Sequence, residues 1–166
     1  MNIVLWIIQV LLAALFLFAI FATIVPWHAD AGGKFEKSDS KVKATATASK
    51  IGADGKQTVT IELAIEKGWH LYANPVNHNN DFLNGNKTVV KIAAKEKLQS
   101  FSVKYPEGKT KVDGKDSYDV YTGVVKLQAV VVRAKGDTSP LEINVAVNAC
   151  DKSVCLDRGT LKLTAP

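Results

Sequence analysis

The sequence predicts an all-β fold, an immunoglobulin-like β-sandwich preceded by an N-terminal hydrophobic helix. Three observations carry this reading. Seven or more short segments rich in Val, Ile and Thr alternate apolar and polar residues, as half-buried strands do. Gly-, Pro- and Asp-containing turn signals separate them. The 166-residue chain, less its apolar start, is the size of one domain and able to bury a core without help from a disulfide.

Residues 3–25 form an apolar run broken only by Gln9 and Thr23, long enough to span a bilayer, and Pro26 ends it. Ala29-Asp30-Ala31 then fits a small-x-small signal-peptidase site. Residues 1–31 are therefore assigned to a signal peptide or a membrane anchor. The run is longer than a usual signal core and no Lys or Arg precedes it. For an anchor, Lys34, Lys37, Lys41 and Lys43 lie on the flank that the positive-inside rule would keep cytoplasmic. Both readings stay open, with export expected to a periplasmic or other extracytoplasmic compartment. Residues 32–40 read as a polar linker and 41–166 as the sandwich.

Within the sandwich, 41–50 alternates, with Val42, Ala44, Ala46 and Ala48 on one face. Ala53-Asp54-Gly55-Lys56 is a hairpin signal. Residues 57–66 follow with Val59, Ile61, Leu63 and Ile65 inward. Further strands are expected at 87–93, 101–105, 123–133, 141–149 and 160–164, with turns at Pro106-Glu107-Gly108, Lys135-Gly136-Asp137 and Arg158-Gly159. Residues 77–80 read as a loop, and 93–99 alone have helical flavour.

The formal net charge is +5, from 21 basic and 16 acidic residues, and Arg133 and Arg158 are the sole arginines. Arginine is the usual side chain for bidentate contacts to phosphates and guanines, and the lysines are scattered along the chain. This argues for a solvated surface and against nucleic-acid binding.

Cys150 and Cys155 are the two cysteines. Cys150 ends a well-alternating strand. If residues 151–154 reverse tightly, the thiols face each other across an antiparallel pair, within disulfide range. Three readings remain open: redox exchange, a static disulfide and a metal site. A ring this small stabilises by only about 2 kcal/mol, against nearly 5 for a 100-residue loop. A solvent-facing pair in a short loop is also open to attack by an external thiolate. Zinc wants about four ligands, and two thiols plus one of His28, His70 or His78 fall short. Lys152 would favour a thiolate and Asp151 would oppose it.

Gly68-Trp69-His70-Leu71-Tyr72-Ala73-Asn74-Pro75-Val76 is a second constellation. Extended, it places Trp69 and Leu71 on one face and His70 and Tyr72 on the other, outward or toward a neighbouring loop. The plainer alternative is a turn with surface aromatics.

The two constellations together resemble the N-terminal periplasmic domain of the thiol:disulfide interchange protein DsbD. The matching pieces, in the family's order, are Gly68 to Val76, Thr88-Val89-Val90, Tyr105-Pro106 with the following Gly108, Val120-Tyr121-x-Gly123, and Ala149-Cys150-Asp151 with Cys155-Leu156. The resemblance implies an immunoglobulin-like sandwich whose cysteines shuttle electrons without a cofactor. It implies a membrane-embedded thiol oxidoreductase as reductant and thioredoxin-fold partner proteins as clients. It assigns the mixed disulfide to Cys155 and resolution to Cys150, and it packs the side chains of His70 and Tyr72 beside the cysteine pair. The chain departs from the family in three ways. Leu156 is followed by Asp157-Arg158 rather than Leu-Pro-Pro. Residues 112–117, matching the aromatic cap loop, hold no aromatic, Tyr118 being the nearby candidate. No multi-helix or Cys-x-x-Cys domain follows, so a separate reductant is expected.

The leading expectation is thus extracytoplasmic thiol–disulfide exchange through Cys150 and Cys155, as a protein-disulfide reductase or interchange component. The main alternative is a membrane-tethered immunoglobulin-like binding module with a static disulfide. A weaker one is copper or zinc handling by the two thiols and His70.

Overall fold

A computed structural model describes residues 36–166. The expected signal peptide or anchor at 1–31, and with it the hydrophobic helix, lies outside the described residues. The described part is a β-sandwich of three antiparallel sheets.

The first sheet has the order β1-β2-β8-β5, formed by β1 (Val42–Ala48), β2 (Lys56–Ile65), β8 (Val124–Val132) and β5 (Ser100–Lys104). The β1–β2 hairpin turns through Gly55, whose φ of 76° suits a residue without Cβ. The second sheet is β11 (Gly159–Ala165), β9 (Leu141–Val147) and β4 (Val89–Ala93), in that order. The main core lies between these two. Val59, Ile61 and Leu63 of β2 and Leu127, Ala129 and Val131 of β8 pack in one cluster with Leu141, Ile143, Val145 and Val147 of β9. All ten are fully buried, so the period-2 alternation in the sequence is the alternation of the core.

The third sheet, β10-β3-β7-β6, consists of β10 (Ala149–Cys150), β3 (His70–Tyr72), β7 (Asp116–Tyr121) and β6 (Lys109–Asp113). It is continuous with both others. β9 runs into β10 through Asn148, and β7 runs into β8 through Thr122 and Gly123, the latter with φ 65°. Gly108, just before β6, is required for a close approach: a Cβ there would lie 2.7 Å from the Ala73 Cβ and 2.8 Å from that of Asp119.

The structure corrects three expectations. Residues 93–99 hold no helix; the described α-helix is instead α1 (Asp81–Asn86), capped by Asn80, whose side chain accepts from the Phe82 and Leu83 amides. The β6–β7 hairpin was not anticipated, because β6 is almost wholly exposed and has no apolar face to betray it. Residues 36–40, assigned to the linker, are docked on the domain. A 3-10 turn (Ser38–Lys41) buries Ser38 completely. Its hydroxyl donates to the Asp157 carbonyl at 2.7 Å and accepts the Ala149 amide at 2.8 Å. A Cβ at Gly159 would collide with the Asp39 backbone, so the turn seats on a glycine.

The two arginines serve the fold. Buried Arg133 donates from Nη1 to Gln57 Oε1 at 2.8 Å and from Nε to the Asp137 carbonyl at 3.0 Å. Arg158 donates to the carbonyls of Gly85 and Lys87, tying down the end of α1.

Ser38 ties the N-terminal turn to the strand that ends in Cys150. Ser38→Ala leaves the buried Ala149 amide without an acceptor and should cost about 1–3 kcal/mol, read as a lower urea midpoint at unchanged slope.

Candidate functional site

The site begins where β9 runs out of partners. After Val147 the chain passes to the third sheet, and Ala149 and Cys150 pair with Leu71 and His70 of β3. Opposed residues in a ladder point to the same face. Ala149 and Leu71 therefore enter the main core, where both are fully buried, while Cys150 and His70 share the other face.

The chain then reverses. Asp151 accepts the backbone amides of Ser153 at 2.6 Å and Val154 at 2.7 Å through one carboxylate oxygen. These amides hold its carboxyl below the usual carboxylate range. The Asp151 amide donates to the Val154 carbonyl and the Leu156 amide to the Ala149 carbonyl, each at 2.9 Å. Cys155 is thereby returned to an antiparallel bridge opposite Cys150, with Cα atoms 4.0 Å apart, and the two are joined in a disulfide. The tight reversal expected from the spacing is present.

The two sulfurs have different surroundings. Cys150 is 2% exposed, in a cluster with Tyr72, Val76, Tyr118 and Val120 against which Leu83 of α1 packs. Cys155 is exposed, next to Val154, itself half exposed. The expectation of a solvent-facing pair is corrected to one open sulfur and one covered sulfur. The cover is the third sheet, which reaches over Cys150 but leaves the returning arm of the loop free.

His70 and Tyr72 both lie beside the cysteines, and both are buried, so the alternative of surface aromatics is overturned. Tyr72 Oη lies 3.6 Å from Cys150 Sγ and 3.8 Å from Cys155 Sγ. A disulfide sulfur carries no hydrogen, so the phenol is the donor. Burial pushes the Tyr72 phenol above its ordinary value, which keeps that proton in place. His70 Nε2 faces the Lys111 ammonium at 3.4 Å. Burial first, then Lys111, lowers the His70 imidazole to about 4 against a weaker opposing pull from Asp151. His70 is neutral at ordinary pH and accepts from Lys111.

Sequence reasoning missed the contribution of β6 and β7. Tyr118 of β7 packs on Tyr72 with ring centroids 5.7 Å apart, and Lys111 of β6 sits over the Tyr118 ring at 5.6 Å. The signal was Asp113-Gly114, a hairpin dipeptide whose Gly114 has φ 62°. Strands β6 and β7 close one wall of a cleft of about 220 Å³, lined by Tyr72, Lys111, Tyr118, Cys150, Lys152 and Cys155 among others. Tyr118, the candidate noted from sequence, supplies the aromatic cover, while 112–117 supply none.

Among the described residues, no group of three His, Cys, Asp or Glu side chains is placed to hold a metal ion. His78 instead faces Asp116 at 3.7 Å, and His28 lies outside the described residues.

A family model described as "Thiol:disulfide interchange protein DsbD, N-terminal" matches residues 38–164. No curated protein matches the chain. Among solved structures, the N-terminal periplasmic domain of ScsB from Proteus mirabilis shares the fold. Its TM-score is 0.51 at 17% identity, over 74% of this chain and 44% of that one. The chain thus spans less than half the length of that relative. The reduced DsbD N-terminal domain of Neisseria meningitidis aligns with TM-score 0.44 at 18% identity, covering 82% of this chain and 92% of that one. A complex of the DsbD and PilB N-terminal domains from the same organism gives TM-score 0.44 at 17% identity, over 73% and 80%.

Two outcomes follow from the geometry around Tyr72 and His70. The folded pKa of His70, about 4, lies below its ordinary 6.5. Between these values the unfolded chain takes up a proton that the folded chain refuses, so this group removes stability as pH falls through that window and nothing further below it. The unfolding free energies from urea titrations at pH 7 and pH 4.5 should differ by about 2 kcal/mol more for the native chain than for His70→Gln. For Tyr72→Phe, loss of the hydrogen bond to sulfur should slow reaction of the reduced pair with a small disulfide about tenfold at pH 7, measured by stopped-flow.

Proposed function

This chain belongs to the DsbD N-terminal domain family, and from that premise we propose that it passes electrons between a reductant and partner proteins through Cys150 and Cys155. The single observation that carries the reading is the asymmetry of the pair. Cys155 is an exposed residue, open to an incoming sulfur in this reading, while Cys150 is buried among Tyr72, Val76, Tyr118 and Val120.

The cycle follows from that asymmetry. In the reduced chain, the Cys155 thiolate attacks one sulfur of a partner disulfide, forming a mixed disulfide and releasing the other partner sulfur as a thiolate. Cys150, held opposite by the antiparallel bridge, then gives up its proton and attacks Cys155 Sγ. The intramolecular disulfide closes and the second partner thiolate leaves. Two electrons have passed from the chain to the partner, and the Cys150 proton has gone to solvent, from which the partner thiolates are protonated. Run backwards, a reductant's thiolate attacks Cys155 and frees Cys150, and the reductant's second thiol then attacks its own sulfur in the mixed disulfide, releasing Cys155 and leaving the reductant as a disulfide. Tyr72 donates to whichever sulfur carries charge, and His70 shapes the wall without exchanging protons at neutral pH. Asn148 Oδ1 lies 3.6 Å from Cys150 Sγ in the disulfide and would accept from the thiol once the pair is reduced.

The proposed compartment is the periplasm or another extracytoplasmic space. In support, disulfides persist in oxidising compartments, and the similar ScsB domain is periplasmic. The apolar segment 3–25 would deliver the domain there, by cleavage or by anchoring it to the inner membrane. The proposed partners are thioredoxin-fold proteins on one side and a membrane-embedded thiol oxidoreductase on the other.

The test is the reduction potential of the Cys150–Cys155 pair in the full chain, equilibrated in glutathione buffers with free thiols trapped. Exchange requires a value roughly between −200 and −270 mV; one below about −300 mV marks a static disulfide and overturns the proposal. Trapping should be just as asymmetric. Cys150→Ala accumulates a mixed disulfide with a thioredoxin-fold partner at Cys155, and Cys155→Ala accumulates none.

A further inference from the structure

Four lysines that are scattered in the sequence meet beside the disulfide. A groove of about 550 Å³ is lined by Lys67, Lys109, Lys111 and Lys152, with Ile65, Trp69 and Val120 as apolar surface. It joins the cysteine cleft through four shared residues, His70, Lys111, Asp151 and Lys152. Its carboxylates are already engaged. Glu66 lies 3.9 Å from Lys41, and Asp151 is spent on the amides of its own loop. Among the described residues, none of the four lysines has a carboxylate within 4.0 Å, whereas Lys41, Lys56 and Lys126 do. Lys67, Lys109 and Lys152 are exposed, and Lys111 is half-buried.

With Glu66 and Asp151 counted, the four ammonium groups leave the lining a net positive formal charge around an apolar floor, which favours a ligand with carboxylates and some apolar surface. The groove is open at the surface and leads to Cys155, so it fits a chain running away from a sulfur bonded there. We infer that the groove is a specificity subsite that binds an acidic, extended segment of the partner protein flanking the partner's reactive cysteine. The inference rests on the exchange reading above. It makes the lysines recognition residues, acting on encounter and not on the sulfurs.

The experiment uses the full chain and two peptides, identical except for Glu or Lys on both sides of one cysteine. That cysteine is carried as a disulfide with 2-thiopyridine. The Cys155 thiolate attacks the peptide sulfur, the bond to thiopyridine breaks, and thiopyridone leaves with the electron pair and is read by absorbance. Cys150 then closes the intramolecular disulfide and frees the peptide thiol. Each rate is divided by the rate with uncharged dithiodipyridine, which removes differences in intrinsic thiol reactivity. The acidic peptide should react about tenfold faster than the basic one at low salt, with the ratio falling toward one in about 0.5 M salt. The double variant Lys67→Glu/Lys109→Glu should invert the ratio. A ratio near one in the native chain, or a preference that survives the double variant, overturns the inference.

A second arm is independent of redox chemistry. A labelled acidic peptide with Ser in place of Cys should bind the oxidised chain, read by fluorescence anisotropy, and bind the double variant at least tenfold more weakly. Failure of dithiodipyridine to react would sink the exchange reading while leaving this arm to decide the groove. Displacement of the labelled peptide by oxidised glutathione as readily as by unlabelled peptide would overturn the assignment to a protein segment.

Discussion

Two residues paired with two others set the geometry of the site. Ala149 and Cys150 lie opposite Leu71 and His70, and strand side chains alternate faces with a period of two. This register sends Ala149 and Leu71 into the main core and Cys150 and His70 to the third sheet's covered face. A slip by one residue would drive Cys150 into the core and bring Ala149 out. The register is held from both sides. Leu141, Ile143, Val145 and Val147 commit β9 to one face, and the Ser38 hydroxyl fixes the Ala149 amide. Tyr72 follows at the next position of its own face, so its hydroxyl reaches both sulfurs as a consequence of the same register.

The electrostatics of the site depend on which groups are prevented from ionising. His70 is held neutral by burial and by the ammonium of Lys111, and burial keeps the proton on Tyr72. The loop carboxylate nearest the cysteines, Asp151, is turned onto its own backbone amides. The formal positive charge left along the adjoining groove comes from lysines. Asp151 is held as an anion by those amides, so the opposing charges of Lys152 and Asp151 read from the sequence both stand beside the pair.

How far the sequence could be read tracks how strongly each element is tied to a core. Strands β2, β8 and β9 carry unbroken apolar alternation, and their observed bounds lie within two residues of those expected. The two cysteines and the His70–Tyr72 pair were legible for the same reason, since one stands at the end of such a strand and the other on a short apolar-polar segment. Burial at His70 was not legible, because what buries it is a hairpin far along the chain. That hairpin, β6–β7, reads Lys-Thr-Lys-Val-Asp on its outer strand. An edge strand with charged residues on both faces carries no periodic signal and is recorded only by its Asp-Gly turn. The groove lysines were illegible for a related reason. Positions 67, 109, 111 and 152 become neighbours only once β3 is paired with both β10 and β7. The helical flavour read at 93–99 reflects local propensity, where tertiary context decides.

The asymmetry of the pair sets two demands against each other. A disulfide that exchanges must offer one sulfur to a partner, yet the bond breaks only if the other sulfur can leave with negative charge. In the proposed cycle the departing sulfur is Cys150, among two tyrosines and two valines, where charge is poorly solvated. Burial by apolar groups alone would slow the departure and push the pair toward a static disulfide. The phenol of Tyr72 offsets that cost, because it is a protonated donor inside the covered space and within reach of both sulfurs. It can follow the charge from Cys155 to Cys150 without moving away. In the proposed cycle, the wall that shields Cys150 from other thiols thus also carries a donor that eases its departure, so Tyr72 serves both selectivity and reactivity.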